Sequence, residues 1–253
     1  MQHRPRKRFG QHFLADHGII QTLINAIRPG CGDVLVEIGP GLGALTKPLL
    51  ALVPHLEVIE IDRDLAEQWR RSPQSGQITV HEQDVLEFDF SLLPDRLRLA
   101  GNLPYNISTP LLFHLVRFAD QIVDAHFMLQ KEVVDRMVAA PGTRDYGRLS
   151  VMLQYHFHME ALFDVPPEAF DPPPKVNSSV VRLTPKRPVA PEAKHLETLE
   201  ALVTQAFSQR RKMLRSSLRH TISQQVFEEL GIDVTRRAES LSLEEFVALA
   251  NAC

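Results

Sequence analysis

The run Gly101-Asn102-Leu103-Pro104-Tyr105 combines residue types that suit an amine on a flat aromatic base. Asn102 offers a carbonyl acceptor, Pro104 stiffens the loop and has no N–H to donate, and Tyr105 presents a ring face. The lone pair of an adenine amine is delocalised into the ring, which makes it a poor nucleophile. Acceptors at Asn102 Oδ1 and at the Leu103 or Pro104 carbonyl would hold the amine hydrogens out of conjugation. They would also stabilise the positive charge that builds as an electrophilic carbon arrives. Such a step needs neither a metal nor an activated side-chain nucleophile. Placed at random, the same five residues would read as a strand-to-helix turn with an incidental Tyr, so their position has to decide.

A second run, Glu37-Ile38-Gly39-Pro40-Gly41-Leu42-Gly43-Ala44, follows an apolar stretch and opens a helix-like one. Its glycines let backbone approach a ligand closely where unpaired N–H groups favour a carboxylate or phosphate. Gly39, Gly41 and Ala44 satisfy the dinucleotide pattern GxGxxG/A, and Glu60, 21 residues past Gly39, is a carboxylate suited to ribose hydroxyls. A nicotinamide cofactor and S-adenosylmethionine both fit that pattern, as does a tight turn with no ligand. Glu37 tilts the balance, because a carboxylate at a strand tip attracts an ammonium group and repels a pyrophosphate. Asp84, after His81-Glu82-Gln83, can accept a hydrogen bond from an adenine amino group, and Val85 offers apolar contact and a backbone N–H. An isolated Asp in that place would be a turn or cap residue, and only the glycine loop lends it a further role. Cys31 and Cys253 lack CxxC spacing and the eleven histidines include no HExxH, so no metal site is expected.

The elements that must position these residues follow from hydrophobic periodicity. Strands are expected near 34–38, 56–61, 78–81, 97–101 and 126–130, and helices near 16–28, 44–53, 64–70, 109–118 and 131–139. Alternating strands and helices predict a parallel, doubly wound sheet, whose ligands sit beyond the carboxyl ends of the strands near the switch point. A proline-rich stretch (165–174) and a strand-like run (179–183) come next, and the three prolines within 185–191 read as a linker. Beyond it the period is helical: Leu196, Leu199, Leu202, Val203 and Phe207 share a face, and Ser242 to Glu245 has capping-box spacing. The expected division is 1–185 and 186–253. With 253 residues, 44% hydrophobic, the chain can bury a core, and disorder is excluded. No apolar run reaches the roughly 18 residues of a membrane span, and the basic N-terminus has no apolar run behind it, so a cytoplasmic protein is expected.

The net charge of −3 hides a partition. Arg4, Arg6, Lys7 and Arg8 lie in 1–15, and Arg210, Arg211, Lys212, Arg215 and Arg219 in 201–227, with no acid in either segment. Taking those nine from 28 bases leaves 19 against 31 acids, or −12 for the remainder. Charge runs usually line solvated faces; the sharper reading is binding to a polyanion, whose counterions clustered bases release. In one helix, Arg211, Arg215 and Arg219 would form a row beside Leu214, Leu218 and Ile222.

These runs together resemble the bacterial small-subunit rRNA adenine N6,N6-dimethyltransferases, the KsgA/RsmA family. Lys7 to Leu14 (KRFGQHFL), Glu37 to Gly43, Gly101 to Thr109 (GNLPYNIST) and Phe170 to Val181 (FDPPPKVNSSVV) are similar to its motifs, and 206–218 (AFSQRRKMLRSSL) matches more loosely. The resemblance implies an α/β fold: a Rossmann-like class I S-adenosylmethionine-dependent methyltransferase sheet with a small C-terminal all-helical domain that docks RNA. It implies that His12, Leu14, Gly39, Glu60, Asp84 and Asn102 contact the donor, that Asn102 and adjoining backbone orient the amine, and that Tyr105 and Phe170 sandwich the adenine. The expected partner is small-subunit rRNA within a ribosomal subunit or precursor, bound by a monomer. The basic arm and the arginine row would hold RNA backbone while the pocket chooses a base turned out of its stack. A large-subunit rRNA methylase is the nearest alternative of the same class, and a nicotinamide-dependent oxidoreductase or an assembly factor with little turnover the more distant ones.

Overall fold

Strand β2 (Val34–Ile38) reads VLVEI, and its residues from Leu35 to Ile38 are buried, as expected of a central strand covered on both faces. In the computed structural model, which describes residues 12–253, it is the third strand of a seven-stranded sheet. The expected arm residues Arg4, Arg6, Lys7 and Arg8 lie outside the described residues. The sheet also contains β3 (Leu56–Glu60), β4 (Ile78–Glu82), β5 (Leu97–Asn102), β6 (Ile122–Gln130), β7 (Phe157–Val165) and β9 (Ser178–Pro185), in the order β4-β3-β2-β5-β6-β9-β7. β4, β3, β2, β5 and β6 are mutually parallel. The chain runs outward from β2 to β4 and then returns to β5 on the other side of β2. The β2/β5 boundary is therefore the switch point.

Helices α1 (His17–Ile27), α2 (Thr46–Leu50), α3 (Arg63–Arg70), α4 (Ser108–Val116) and α5 (Lys131–Val138) alternate with these strands. Asp16 caps α1 by accepting from the Gly18 and Ile19 amides at 2.7 and 3.0 Å, and Ile20, Leu23, Ile24 and Ile27 form its buried stripe. Arg98 pins β5 in place, reaching Asp33 at 2.6 Å and Asp124 at 2.7 Å.

Several expectations are corrected. The sheet is not all parallel: β9 runs antiparallel to β6, with Ala125 opposite Leu183 and Gln130 opposite Ser178. The residues of β9 (SSVVRLTP, with Arg182 and Thr184 exposed) suit a strand of either direction, so the sequence carried no sign of which way it runs. A two-residue ribbon joins β1 (Phe13–Leu14) to β8 (Phe170–Asp171), and α6 (Arg148–His156) and β7 went unread. α2 is half the expected length, because the glycine loop runs on in turns to Leu45.

The chain divides into two compact units, one reaching to Val134 and including Met159–Pro185, the other Asp135–His158 with Lys186–Cys253. The expected boundary after residue 185 coincides with a division, but 135–158 group with the C-terminal segment instead of the sheet. In that second unit, α7 (Leu196–Ser208) buries Leu199, Leu202, Val203 and Ala206, and its Phe207 ring lies 5.8 Å from Phe246 of α10 (Leu243–Asn251). The capping box forms: Ser242 Oγ accepts from the Glu245 amide at 3.2 Å, and Glu245 Oε2 from the Ser242 amide at 2.8 Å. The continuous helix through the arginine row does not form. α7 stops at Ser208, α8 (Leu214–Ser217) is a single turn, and α9 (Gln224–Glu229) follows.

Candidate active site

At the switch point a cavity of about 210 Å³ opens beyond the carboxyl ends of β2, β3, β4 and β5. His12, Leu14, Gly39, Gly41, Glu60, Asp84, Val85, Asn102, Leu103, Pro104 and Tyr105 all line it, as does Glu37. The fold thus brings together expected site residues as far apart in the chain as His12 and Tyr105.

The β2–β3 side is built from glycines and buried acids. Gly39 and Gly41 take φ of +69° and +53°, so the loop folds back over the strand tip with its backbone exposed to the cavity. Glu37 is 2% exposed, and its Oε2 has no hydrogen-bond partner among the described residues. Burial pushes its carboxyl up to about 8, with the nearby Glu60 adding to the shift. Glu60 is also raised by burial, opposed by the backbone amides it accepts: Asp62 at 2.9 Å and Gly41 at 3.3 Å. Asp84 makes the turn that its type suggested, Oδ1 accepting from the Leu86 amide at 2.9 Å, which leaves Oδ2 for a ligand.

The β5 side is built from side-chain bonds. Gly101 has no alternative, since a Cβ there would sit 2.6 Å from the Ile38 carbonyl oxygen. This close approach brings the end of β5 against the end of β2. The Leu103 amide donates to Met128 O at 3.1 Å and anchors the loop. The Pro104 carbonyl accepts from both Ile107 N and Ser108 Oγ at 3.2 Å, which occupies it in the start of α4. Of the two carbonyls expected as acceptors, only that of Leu103 is uncommitted among the described residues. Asn102 Nδ2 donates to His12 O at 2.8 Å. Only an amide nitrogen can face a carbonyl in that way, so Oδ1 is left as the free acceptor.

His12 ties three segments together: its carbonyl takes Asn102, its Nδ1 donates to Pro172 O at 2.8 Å, and its ring stacks 5.9 Å from that of Tyr105. The Tyr105 hydroxyl pairs with Ser178 Oγ at 2.7 Å, and burial raises its pKa. Phe170 is a correction. It is 4% exposed, belongs to the hydrophobic core and faces Leu14 across the β1/β8 ribbon, and it is not among the residues that line the cavity. Its ring anchors the late loop instead of forming a second stacking face. Sequence reasoning also missed Ser178 and Ile61. Ile61 directly follows the strand-end acid Glu60 and is 46% exposed at the cavity wall, a signal that the rule about strand ends could have caught.

The basic residues divide. Arg211, Lys212, Arg215 and Arg219 are exposed, while Leu214, Leu218 and Ile222 are buried, so the two-sided pattern holds although the helix does not. Arg210 is committed internally, donating to the carbonyls of Arg144 and Tyr146 and to Glu239 at 3.2 Å.

The donor set fits S-adenosylmethionine. Glu37 has an unsatisfied buried oxygen that an ammonium group would complete, Glu60 is a carboxylate for ribose hydroxyls, and Asp84 with Val85 offers an acceptor and an amide for a purine. Comparison with known proteins agrees. A relative from Dechloromonas aromatica, described as ribosomal RNA small subunit methyltransferase A, is 58% identical over 98% of both chains. One of the same description from Nitrosospira multiformis is 57% identical over 99% of this chain and 97% of its own. A dimethyladenosine transferase from Plasmodium falciparum superposes with a TM-score of 0.83 at 26% identity, covering 94% of this chain and 96% of that one. The 23S rRNA methyltransferase ErmE gives 0.73, also at 26%, over 94% and 98%. The sheet is thus that of the class I methyltransferases. A sequence model described as ribosomal RNA adenine dimethylase matches residues 2–253, and the chain belongs to that family.

Proposed function

We propose that this methyltransferase converts two adjacent adenines in the 3′-terminal hairpin loop of small-subunit rRNA to N6,N6-dimethyladenosine, in the cytoplasm, on a ribosomal subunit or its precursor, as a monomer. The observation that carries this reading is the Asn102 Nδ2 bond to His12 O at 2.8 Å. It turns a side chain with two possible roles into a fixed acceptor at the mouth of the donor cavity.

S-adenosylmethionine supplies an electrophilic methyl carbon when bound. Glu37 holds its ammonium group, Glu60 its ribose hydroxyls, and Asp84 and Val85 its adenine. Asn102 Oδ1 and the Leu103 carbonyl accept the hydrogens of the target amine, which pulls the nitrogen lone pair out of conjugation and offsets the charge that develops there. Tyr105 offers its ring face to the base, and the Ser178 and His12 contacts keep that ring from turning. Exposed Arg211, Lys212, Arg215 and Arg219 bind the RNA backbone, with the arm bases Arg4, Arg6, Lys7 and Arg8 assisting. Among the described residues, no helix is long and apolar enough to cross a membrane. The small-subunit substrate is favoured over the large-subunit one because full-length relatives at 58% identity carry the former description and the large-subunit enzyme stands at 26%.

The test is to incubate small subunits from cells lacking the modification with labelled S-adenosylmethionine and to map the product by mass spectrometry of the rRNA. Dimethyladenosine at two neighbouring positions is the expected result. Binding to the subunit without transfer would make the protein an assembly factor, and methylation confined to large-subunit rRNA would move it to the other branch of its family.

A further inference from the structure

The glycine loop at the tip of β2 contains three residues with positive φ, Gly39 at +69°, Gly41 at +53° and Gly43 at +91°. A segment so rich in glycine loses the most conformational freedom on ordering, and its own backbone closes one turn, Gly43 N donating to Pro40 O at 2.9 Å, with Gly39 N tied to Ile59 O at 2.9 Å. The only tryptophan of the chain, Trp69, meets it at two points. Its Nε1 donates to the Gly41 carbonyl at 3.0 Å. Its ring also fills the space beside Gly43, where an added Cβ would lie 2.6 Å from Cη2 and 2.7 Å from Cζ2. Trp69 is 3% exposed and shares the buried face of α3 with Leu65 and Ala66. α3 begins three residues after Glu60 and is capped by Asp62, which accepts from the Asp64 amide at 3.1 Å. Gly41 N meanwhile donates to Glu60 Oε2 at 3.3 Å. The β3–α3 segment therefore grips Gly41 at both its N–H and its carbonyl, so that the loop and the ribose-directed acid are locked together.

We infer that Trp69 is a positioning residue for the methyl donor: it holds the glycine loop in its binding shape before the donor arrives. This rests on the donor assignment proposed above and adds a residue that touches no donor atom. Preorganisation shifts part of the ordering cost from binding to folding, so its loss shows in affinity.

Two measurements test it. In the wild-type protein without donor, the emission of the sole indole is expected to be blue and resistant to acrylamide, and to change little when S-adenosylmethionine is added. Calorimetric titration well below the melting transition should show Trp69→Phe, which keeps a ring but loses the N–H donor, binding S-adenosylmethionine about threefold to tenfold more weakly. Its kcat at saturating donor should stay within about twofold of wild type. Gly43→Ala, which would push the indole aside while keeping it as reporter, should weaken the donor at least as much and raise acrylamide quenching. Equal affinity in Trp69→Phe and wild type overturns the inference, as does free wild-type emission that is red, quenchable and protected only after donor is added. Failure of wild type to bind S-adenosylmethionine at all would take down the donor assignment itself.

Discussion

The two loops that meet at the switch point leave adjacent parallel strands, with Glu37 of β2 opposite Ala100 of β5, yet they are built on different principles. The glycine loop is shaped by backbone: positive-φ glycines, two buried carboxylates and an indole behind it. The β5 loop is shaped by side-chain bonds: Asn102 gives its N–H to His12 and keeps Oδ1 as an acceptor, and the Tyr105 hydroxyl pairs with Ser178 Oγ. One loop is suited to a charged molecule held in a constant pose, the other to a neutral amine whose charge exists only during reaction. Binding and chemistry should therefore separate by mutation along this line.

The largest expected effect lies on the β5 side. Asn102→Ala removes one oriented acceptor of a developing charge and is expected to cost about 2 to 4 kcal/mol in methyl transfer. Donor affinity should move far less. Single-turnover methylation of small subunits, set beside calorimetric donor titration, reads the two separately; near-wild-type turnover would erase the distinction between the loops.

A titration should mark the other side. Burial holds the Glu37 carboxyl up near 8, against 4.5 for the free group. Between those values the folded protein keeps a proton that the unfolded chain has released. Its stability contribution is therefore present at low pH, declines as pH climbs through that window and levels off above about 8. Glu37→Gln mimics the protonated form and lacks this decline. Melting curves from about pH 5 to 9 should show wild type losing ground to the variant with rising pH. Parallel curves would mean that the carboxyl is solvated and the glycine loop open above it. Asn102→Ala, with no titrating group involved, should leave the pH dependence as it was.

How much of this could be read beforehand follows the same physics. The strand-end rule found Glu37, Glu60 and Asn102 because a central parallel strand is a largely apolar run with a polar end, whereas Asp84 follows the edge strand β4, which reads ITVHE and is only partly buried, and was picked out by the nearby glycine loop. The rule fails where burial is uniform. In α6, Leu149, Ser150, Val151, Met152, Leu153 and Tyr155 are all buried, so there is no polar face to give the helix away. It fails again at 209–213, where QRRKM contains neither Gly nor Pro to signal a break. The break is made by distant chain, with the Leu214 amide donating to Arg236 O at 2.8 Å and the Arg215 amide to Val234 O at 3.1 Å. Phe170 shows the third limit, since a residue type suited to stacking on a base is equally suited to filling a core.

The salt dependence of RNA binding should respond to neither loop, which gives the smallest and most selective prediction. Arg211, Arg215 and Arg219 are exposed and none is tied to an acid by an ion pair among the described residues, although Arg219 Nε lies 2.8 Å from His220 Nε2. Replacing all three by Gln should reduce the slope of log affinity against log salt by about 2 to 3 units, the counterion release of three phosphate contacts, and leave donor affinity unchanged. Arg210 serves as the contrast. Its guanidinium supports the Arg144 and Tyr146 carbonyls, so Arg210→Gln should lower the melting temperature and shift the slope less than an exposed neighbour does. A filter-binding series over salt, run on both variants, decides it. If Arg210→Gln flattened the slope as much as the three exposed replacements together, the basic segment would be gripping RNA through the residue that the fold already uses, and exposure would be the wrong criterion for choosing its contacts.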